Sequence, residues 1–377
     1  MTAGEKKTVG LCAFLLFLVF AMVTLGGFVR LTGSGLSIPE WPFFTVDVRE
    51  LPDGSLKKVR TVFAPMSEEQ WETTRATFVK LVPGFEEGIG IAAFKRMFWI
   101  EWSHRALASV IFISYITFMV VALRAREVRA VIGKRAVGGF FLLLSQAVVG
   151  GILVWLHLPA FKLAIHLSIA FLFAALILWM MLRVWRAPAP VAERRGPNPI
   201  LPLSIAVFLI VLAQVFSGGL MAGSHAGFML NTWPMMGDYW VPPGLMAEDV
   251  GFVKNFVENK ILIQFFHRWF AIFTLVAVLY LVLRSLTVKV SPVARWALRA
   301  VASVAVLQVV VGIITLLTGV HTHIALTHQS LGLVLLLNVL VVVYETAAHP
   351  VLAEKALMAE NDAKVATAAA SGETVNA

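Results

Sequence analysis

Glu101 and His104 open the long apolar stretch 98–123, and their spacing would allow the two side chains to act together. Residues three apart on an α-helix lie on one face, one turn apart. An ionisable side chain inside a membrane span is costly to place and therefore indicates a functional site. A carboxylate here could accept a proton or stabilise positive charge on a substrate. The alternative is an ion pair with Arg105 or Lys95 at the membrane surface.

The pattern occurs a second time as Gln264, His267 and Arg268, with an amide in place of the carboxylate. Glutamine cannot ionise, so the second copy cannot carry out the same proton chemistry. We therefore expect the first copy to do chemistry and the second copy only to carry electrons.

Four of the nine histidines occupy equivalent positions in two copies of a repeat: His104, His166, His267 and His328. At 1.5 Å per residue, each lies roughly 5–9 Å inside the outer boundary of its apolar stretch. Two imidazoles at one depth on neighbouring helices are what bis-histidine haem ligation requires. The pattern predicts two haem sites. The alternative is that these histidines only form hydrogen bonds between helices.

The sequence gives two alternative roles for other titratable residues near the outer boundary. The guanidinium groups of Arg30, Arg105 and Arg268 could bind haem propionates bidentately, or could extend to the membrane surface. His321 and His323 could bind a metal or could be solvated loop residues. Zinc is a weaker interpretation of the four repeated histidines, because structural zinc sites draw their ligands from close loops. His157 and His225 are outer-loop histidines with the same two alternatives, of which a solvated residue is favoured, and His349 is assigned no role.

The composition indicates an integral membrane protein. Of 377 residues, 59% are hydrophobic and only 14% are charged, compared with about 25% charged in a soluble domain. Eight apolar stretches approach the ~20 residues that a membrane-spanning helix needs. They cover residues 9–29, 98–123, 136–156, 161–183, 200–222, 261–284, 296–318 and 325–347. The one cysteine, Cys12, excludes an intramolecular disulfide and any cysteine-based metal or redox motif.

The positive charges predict the orientation in the membrane. With an even number of spans, 17 Lys and Arg residues fall on the side of the termini and 3 fall in short segments on the opposite side. The positive-inside rule counts short segments, so both termini should be cytoplasmic. The absence of an Arg-rich transit peptide favours a bacterial inner membrane.

The matched motifs indicate that the chain contains an internal duplication. Gly26-Gly27 and Trp41-Pro42 match Gly218-Gly219 and Trp233-Pro234 at a constant offset of 192 residues. The expected fold is all-α, with eight transmembrane helices arranged as two parallel four-helix-bundle repeats. The predicted units are 1–195, with a long periplasmic loop 30–97 that includes a surface helix near 66–82; 196–349; and a disordered cytoplasmic tail, 350–377.

Several segments together resemble the haem A synthase family. They are GGFVRLTGSGLS at 26–37, EWSHR at 101–105, NTWPMM at 231–236 and THQ at 327–329. The resemblance covers all eight apolar stretches in order. It implies an oxidoreductase that converts the C8 methyl group of haem O to a formyl group by successive hydroxylation, which supplies haem A to terminal oxidases.

The resemblance also implies the site residues. His267 and His328 would ligate a haem b cofactor, His104 and His166 would bind the substrate haem, and Glu101 would be the essential catalytic glutamate. This chain lacks the cysteine pair that some bacterial members carry in the first outer loop. It is therefore similar to the cysteine-free class of alphaproteobacteria and mitochondria.

Two other functions remain open from the sequence. One is a di-haem membrane cytochrome b that carries electrons, and the other is a haem transporter. A carrier has no evident need for Glu101 in one copy and Gln264 in the other. The expected partners are haem O, membrane lipid, a haem O synthase, an electron donor and further copies of this chain, with no nucleic acid.

Overall fold

Eight long helices dominate the structure, a computed structural model that describes residues 1–38, 45–50, 56–61, 67–81, 88–156, 159–186, 198–247 and 251–348. By length and composition, all eight could cross a membrane. They are α1 Ala3–Leu31, α3 Ile91–Arg124, α4 Arg126–Trp155, α5 Ala160–Trp185, α6 Leu201–Ser224, α8 Lys260–Ser285, α9 Pro292–Leu317 and α10 Thr322–Ala348. The eight predicted spans are confirmed. Each helix is longer than its apolar stretch because it continues into polar residues at its ends.

Three shorter features lie outside the spans. Helix α2, Glu68–Leu81, is the predicted surface helix, and α7, Phe252–Glu258, precedes α8. Strands β1, Thr45–Glu50, and β2, Leu56–Thr61, form an antiparallel hairpin that the sequence analysis did not predict. Residues 157, 187–197 and 349–377, which include His157, His349 and the predicted tail, lie outside the described residues.

Local signals explain where several helices begin. Thr2 and Glu5 form a capping box at the start of α1, in which each side chain accepts a hydrogen bond from the other residue's main-chain N–H. Asn259 caps α8 through Ile261 N and Leu262 N. Ser291 caps α9 just before Pro292, whose missing N–H costs nothing at the first position of a helix.

The long helices pack in two groups of four. In the first group, α1 and α4 each pack against α3 and α5. In the second group, α6 and α9 each pack against α8 and α10. The groups meet where α5 contacts α6 and α10, and where α1 contacts α10. The helices that carry His104 and His166 thus belong to one group, and those that carry His267 and His328 belong to the other.

Small residues bring the two groups close together. A Cβ atom added at Gly219 would lie 2.6 Å from Cα of Ala164, and one added at Gly223 would lie 2.5 Å from Cα of Ala160. The pair is a GxxxG motif on α6, which lets two backbones approach closely within a membrane. On α1, a Cβ added at Gly27 would lie 2.9 Å from Leu326 of α10.

We expect Gly219→Ala to destabilise the protein by about 1–3 kcal/mol, the range for overpacking a tight interface. The new methyl group would meet main-chain atoms of α5, which cannot move aside as a flexible side chain can. The measurement is the thermal unfolding midpoint in detergent. Gly138→Ala on α4 is the matched control, because an added Cβ there meets nothing within 4 Å. Equal midpoints for the two variants would contradict this interpretation of the interface.

At the end of the helices away from the histidines, polar contacts join the two groups. Arg186, which follows α5, donates two hydrogen bonds to the carboxylate of Glu345 on α10, and Ser291 Oγ donates a third at 2.5 Å. Tyr344 Oη donates to the main-chain oxygen of Arg186. Glu345 is 1% exposed, so this pairing matters: a buried carboxylate without partners would be costly.

Candidate functional site

Helix α3 places Glu101, His104 and Arg105 within one turn, as their spacing predicts. Arg105 Nε donates a 2.6 Å hydrogen bond to Glu101 Oε1, and Arg105 Nη2 donates to the main-chain oxygen of Ile38 at 2.8 Å. Glu101 is 4% exposed and Arg105 is 6% exposed. The ion pair that the sequence analysis raised as an alternative is thus present with Arg105, but it is buried. Lys95 instead pairs with Glu68, at 2.6 Å.

The equivalent turn of α8 is arranged differently because it has no carboxylate. Arg268 donates to the main-chain oxygens of Leu230, at 2.5 Å, and Met235, at 3.3 Å. Gln264 Nε2 also donates to the Leu230 oxygen, at 3.3 Å. Ile38 and Leu230 are equivalent at the 192-residue offset, so both arginines bind the same main-chain position. The ion pair with a carboxylate is found only in the first of these two turns.

His267 on α8 and His328 on α10 lie opposite each other. Their ring centroids are 6.4 Å apart, with an interplanar angle of 81°. With metal–imidazole bonds of about 2.0 Å, one metal between two imidazoles places their ring centres about 6 Å apart. A Cβ added at Gly218 or Gly312 would lie 3.3 Å or 2.8 Å from Cε1 of the adjacent histidine. The glycines therefore make room for the two rings.

The other two histidines also lie against glycines. A Cβ added at Gly26 would lie 3.3 Å from His104 Nε2, and one added at Gly150 would lie 3.2 Å from His166 Cε1. His104 on α3 and His166 on α5 both belong to the first helix group. The structure thus places His267 and His328 face to face, and places His104 and His166 on two helices of one group. Each histidine has its glycine on the preceding long helix.

A cavity of about 260 Å³ contains the second histidine pair. Its wall is mostly apolar and includes residues of α1, α5, α6, α8, α9 and α10. His267 and His328 lie in the wall, and so do Arg30 and Arg268. A side chain of the first helix group, Arg30, therefore reaches a cavity whose histidines belong to the second group.

The three arginines have different surroundings. Arg30 donates to the main-chain oxygen of Ala222, and both Arg30 and Arg268 line the cavity. Both could therefore approach an anionic group bound there. Arg105 is already bonded to Glu101 and Ile38, which makes it a poorer candidate for binding a propionate.

Sequence reasoning missed three residues of this site: Gln214, Ser217 and His225. All three lie on α6 or at its end, and Gln214 and His225 line the cavity. Ser217 Oγ and Gln214 Nε2 lie 2.8 Å and 3.1 Å from His267 Nδ1. The repeat offset could have pointed to His225, because it matches Gly33. Both residues have left-handed backbone, at φ 58° and 68°, a conformation that favours glycine.

His225 was interpreted as a solvated residue, and it is exposed in the structure, where it also contributes to the cavity wall. Partial desolvation and the nearby charges of Arg30 and Lys260 lower the pKa of His225, which lies beyond the end of α6. The ring centroids of His321 and His323 are 5.7 Å apart, and both residues are exposed. Within the described ranges, no group of three or more His, Cys, Asp and Glu residues is placed to hold a metal ion.

The cavity around His267 and His328 fits a haem. The ring separation suits one iron between them, the glycines leave space, and the wall is apolar except for a few polar groups. Buried polar atoms there also lack partners, among them His328 Nδ1 and Gln308 Oε1. Fold and site together define a multi-pass α-helical membrane protein with two intramembrane histidine pairs.

The comparison with known proteins gives the family. Residues 10–340 match the COX15-CtaA family, described as cytochrome oxidase assembly proteins, and the chain belongs to this family. It is 35% identical to the haem A synthase of Rhizorhabdus wittichii over 331 residues, which cover 85% of this chain and 88% of the relative. The haem A synthase of Paracoccus denitrificans is 30% identical over 365 residues, covering 92% and 90% of the two chains.

Proposed function

We propose that this protein is a membrane oxidoreductase that converts haem O to haem A. The observation that carries the proposal is the asymmetry between the repeats. Both copies have a histidine pair against glycines, but only the first has a buried carboxylate within one turn of a histidine, where Glu101 precedes His104 and Gln264 precedes His267. Family membership and the relatives named haem A synthase support the same function.

His267 and His328 would hold a haem b cofactor, which supplies one-electron redox chemistry when bound. The residues around it supply position and charge. The apolar cavity wall excludes water, and Arg30 and Arg268 could neutralise the propionates. Gly218 and Gly312 keep the space beside the ligand rings open.

His104 and His166 would bind the substrate haem, and Glu101 would act on it. Oxidation of a methyl group to a formyl group removes four electrons and inserts one oxygen atom, and proton transfer accompanies the breaking of the C–H bonds in a site with little water. Glu101 can accept a proton or stabilise positive charge on the substrate. Arg105 holds the carboxylate at 2.6 Å and thereby fixes its direction.

The site also suggests the cellular setting. Haem O is a large apolar substrate that would reach the site from the membrane, and a haem O synthase is the class of enzyme that would supply it. The reaction also needs an oxidant and an oxygen source; when dioxygen serves as both, each hydroxylation additionally consumes two electrons from an electron donor. We place the protein in a bacterial inner membrane, with the histidine ends of the helices on the periplasmic side.

Pigment extraction tests the proposed function. Cells that supply haem O and express this protein should yield haem A or its hydroxylated intermediate by chromatography of the extracted haems. Cells with the same haem O supply and an empty vector are the control. A di-haem electron carrier would return no haem A, and that result would overturn the proposal.

The topology makes a separate prediction. A reporter that is active only in the periplasm should be inactive when fused after Ala377, because positive charges concentrate on the side of the termini. The same reporter fused after Met246, in the segment between α6 and α8, should be active. The reverse pattern would overturn the assigned orientation.

A further inference from the structure

The four histidines differ in how their ring nitrogens are held, and we propose that Ser217 is the positioning residue that lets the His267–His328 pair hold its haem more firmly than the His104–His166 pair. This inference rests on the proposed function, because it concerns which histidine pair keeps its haem and which releases it.

Hydrogen bonds around His267 determine which of its nitrogens is free. Ser217 Oγ lies 2.8 Å from His267 Nδ1 and also donates to the main-chain oxygen of Gln214 at 2.8 Å, and Gln214 Nε2 lies 3.1 Å from the same ring nitrogen. Both polar side chains therefore hold the ring at Nδ1, which leaves Nε2 as the nitrogen available to a metal. Gln214 Nε2 also donates to the main-chain oxygen of His267 at 3.1 Å, which braces this turn of α8.

His104 lacks this support. At the 192-residue offset, Ser217 and Gln214 correspond to Leu25 and Met22, whose side chains cannot accept a strong hydrogen bond. Within the described part of the chain, no hydrogen bond reaches the His104 ring. The ring is also turned differently: Nε2 is the His104 atom nearest the position of a Cβ on Gly26, whereas Cε1 is nearest in His267 against Gly218.

The second histidine of each pair shows a related difference. In the second group, Gln308 Nε2 donates to the main-chain oxygen of His328 at 3.0 Å and leaves the ring free. In the first group, the equivalent Gln146 places its Nε2 3.2 Å from His166 Nε2. A haem iron that binds His166 through Nε2 must first displace this amide. Both differences favour a fixed ligand pair in the second group and a releasable pair in the first.

The test measures haem release rather than enzyme activity. The purified full-length protein, with its haem b, is mixed with excess apomyoglobin, and transfer is followed by absorbance. Ser217→Ala should lower haem affinity by about 10- to 100-fold, the range for losing a residue that orients a metal ligand, and transfer should accelerate accordingly. The low-spin haem spectrum should also change, because the ring can rotate. Ser217→Thr keeps the hydroxyl group and should restore slow transfer.

Ser204→Ala is the matched control, because Ser204 is a buried serine on the same helix that bonds only to the main-chain oxygen of Ile200. It should leave haem transfer and the spectrum unchanged. The reciprocal variant, Met22→Gln with Leu25→Ser, should slow the release of haem b added as a probe to the first site.

If the Ser217→Ala protein transfers haem at the wild-type rate and keeps the wild-type spectrum, this inference is overturned, whether or not the variant forms haem A. A normal thermal midpoint in that variant, measured against Ser204→Ala, separates loss of ligand orientation from loss of folding. The proposed function fails by a different result, namely the absence of haem A from the wild-type protein in the pigment assay.

Discussion

His267→Ala and His328→Ala should each remove the stably bound haem b. Either substitution would leave the haem with one histidine ligand in a cavity whose wall is mostly apolar. Loss of a residue that only orients a metal ligand lowers metal affinity by about 10- to 100-fold. Loss of the ligand itself should therefore reduce the haem b content of the purified protein to less than about a tenth of the wild-type content. The measurement is the ratio of haem b to protein, with the low-spin spectrum.

His321→Ala provides the control, because His321 is an exposed histidine at the same end of the protein. It should retain haem b at the wild-type ratio. A His267→Ala protein with full low-spin haem b would show that the pair is structural. The four histidines would then be interhelical hydrogen-bonding residues, as the alternative from the sequence holds.

Glu101→Gln should reduce haem A formation by at least ~100-fold while the protein keeps its haem b, in line with the loss of a general base. The amide preserves the shape and still offers an oxygen to Arg105, but it cannot take up a proton. Folding should survive, because the second copy already has Gln264 in the equivalent buried position. Haem A content and the haem b spectrum should be measured on the same preparation.

Two matched variants make this result specific. Glu68→Gln makes the same exchange in an exposed ion pair with Lys95 and should leave haem A formation unchanged. Gln264→Ala should have only a mild effect on haem A formation, because Gln264 supplies no ionisable group. Near-normal haem A from Glu101→Gln would show that the Glu101–Arg105 pair is a structural contact and that the repeat asymmetry has no catalytic meaning.

The sequence by itself determined the eight spans and the identity of the four repeated histidines. Spans are readable because each must contain about twenty apolar residues, whatever packs against it. The histidines are readable because burying an imidazole in a membrane is costly, so matched examples in two copies stand out. The 192-residue offset also relates Ile38 to Leu230, and in the structure both main-chain oxygens accept a hydrogen bond from an arginine.

Only the tertiary structure decided which hydrogen-bonding and ionic partners the site residues have. That Lys95 pairs with Glu68, and not with Glu101, depends on where α2 lies on α3. The hydrogen bond between His267 and Ser217 joins residues 50 positions apart, and no local pattern marks Ser217 among the other serines of the spans. The position of His225 in the cavity wall was not predicted for the same reason, since the other residues of that wall come from distant parts of the chain. Helical periodicity fixes the face on which a side chain lies, but the partner on that face depends on how the helices pack.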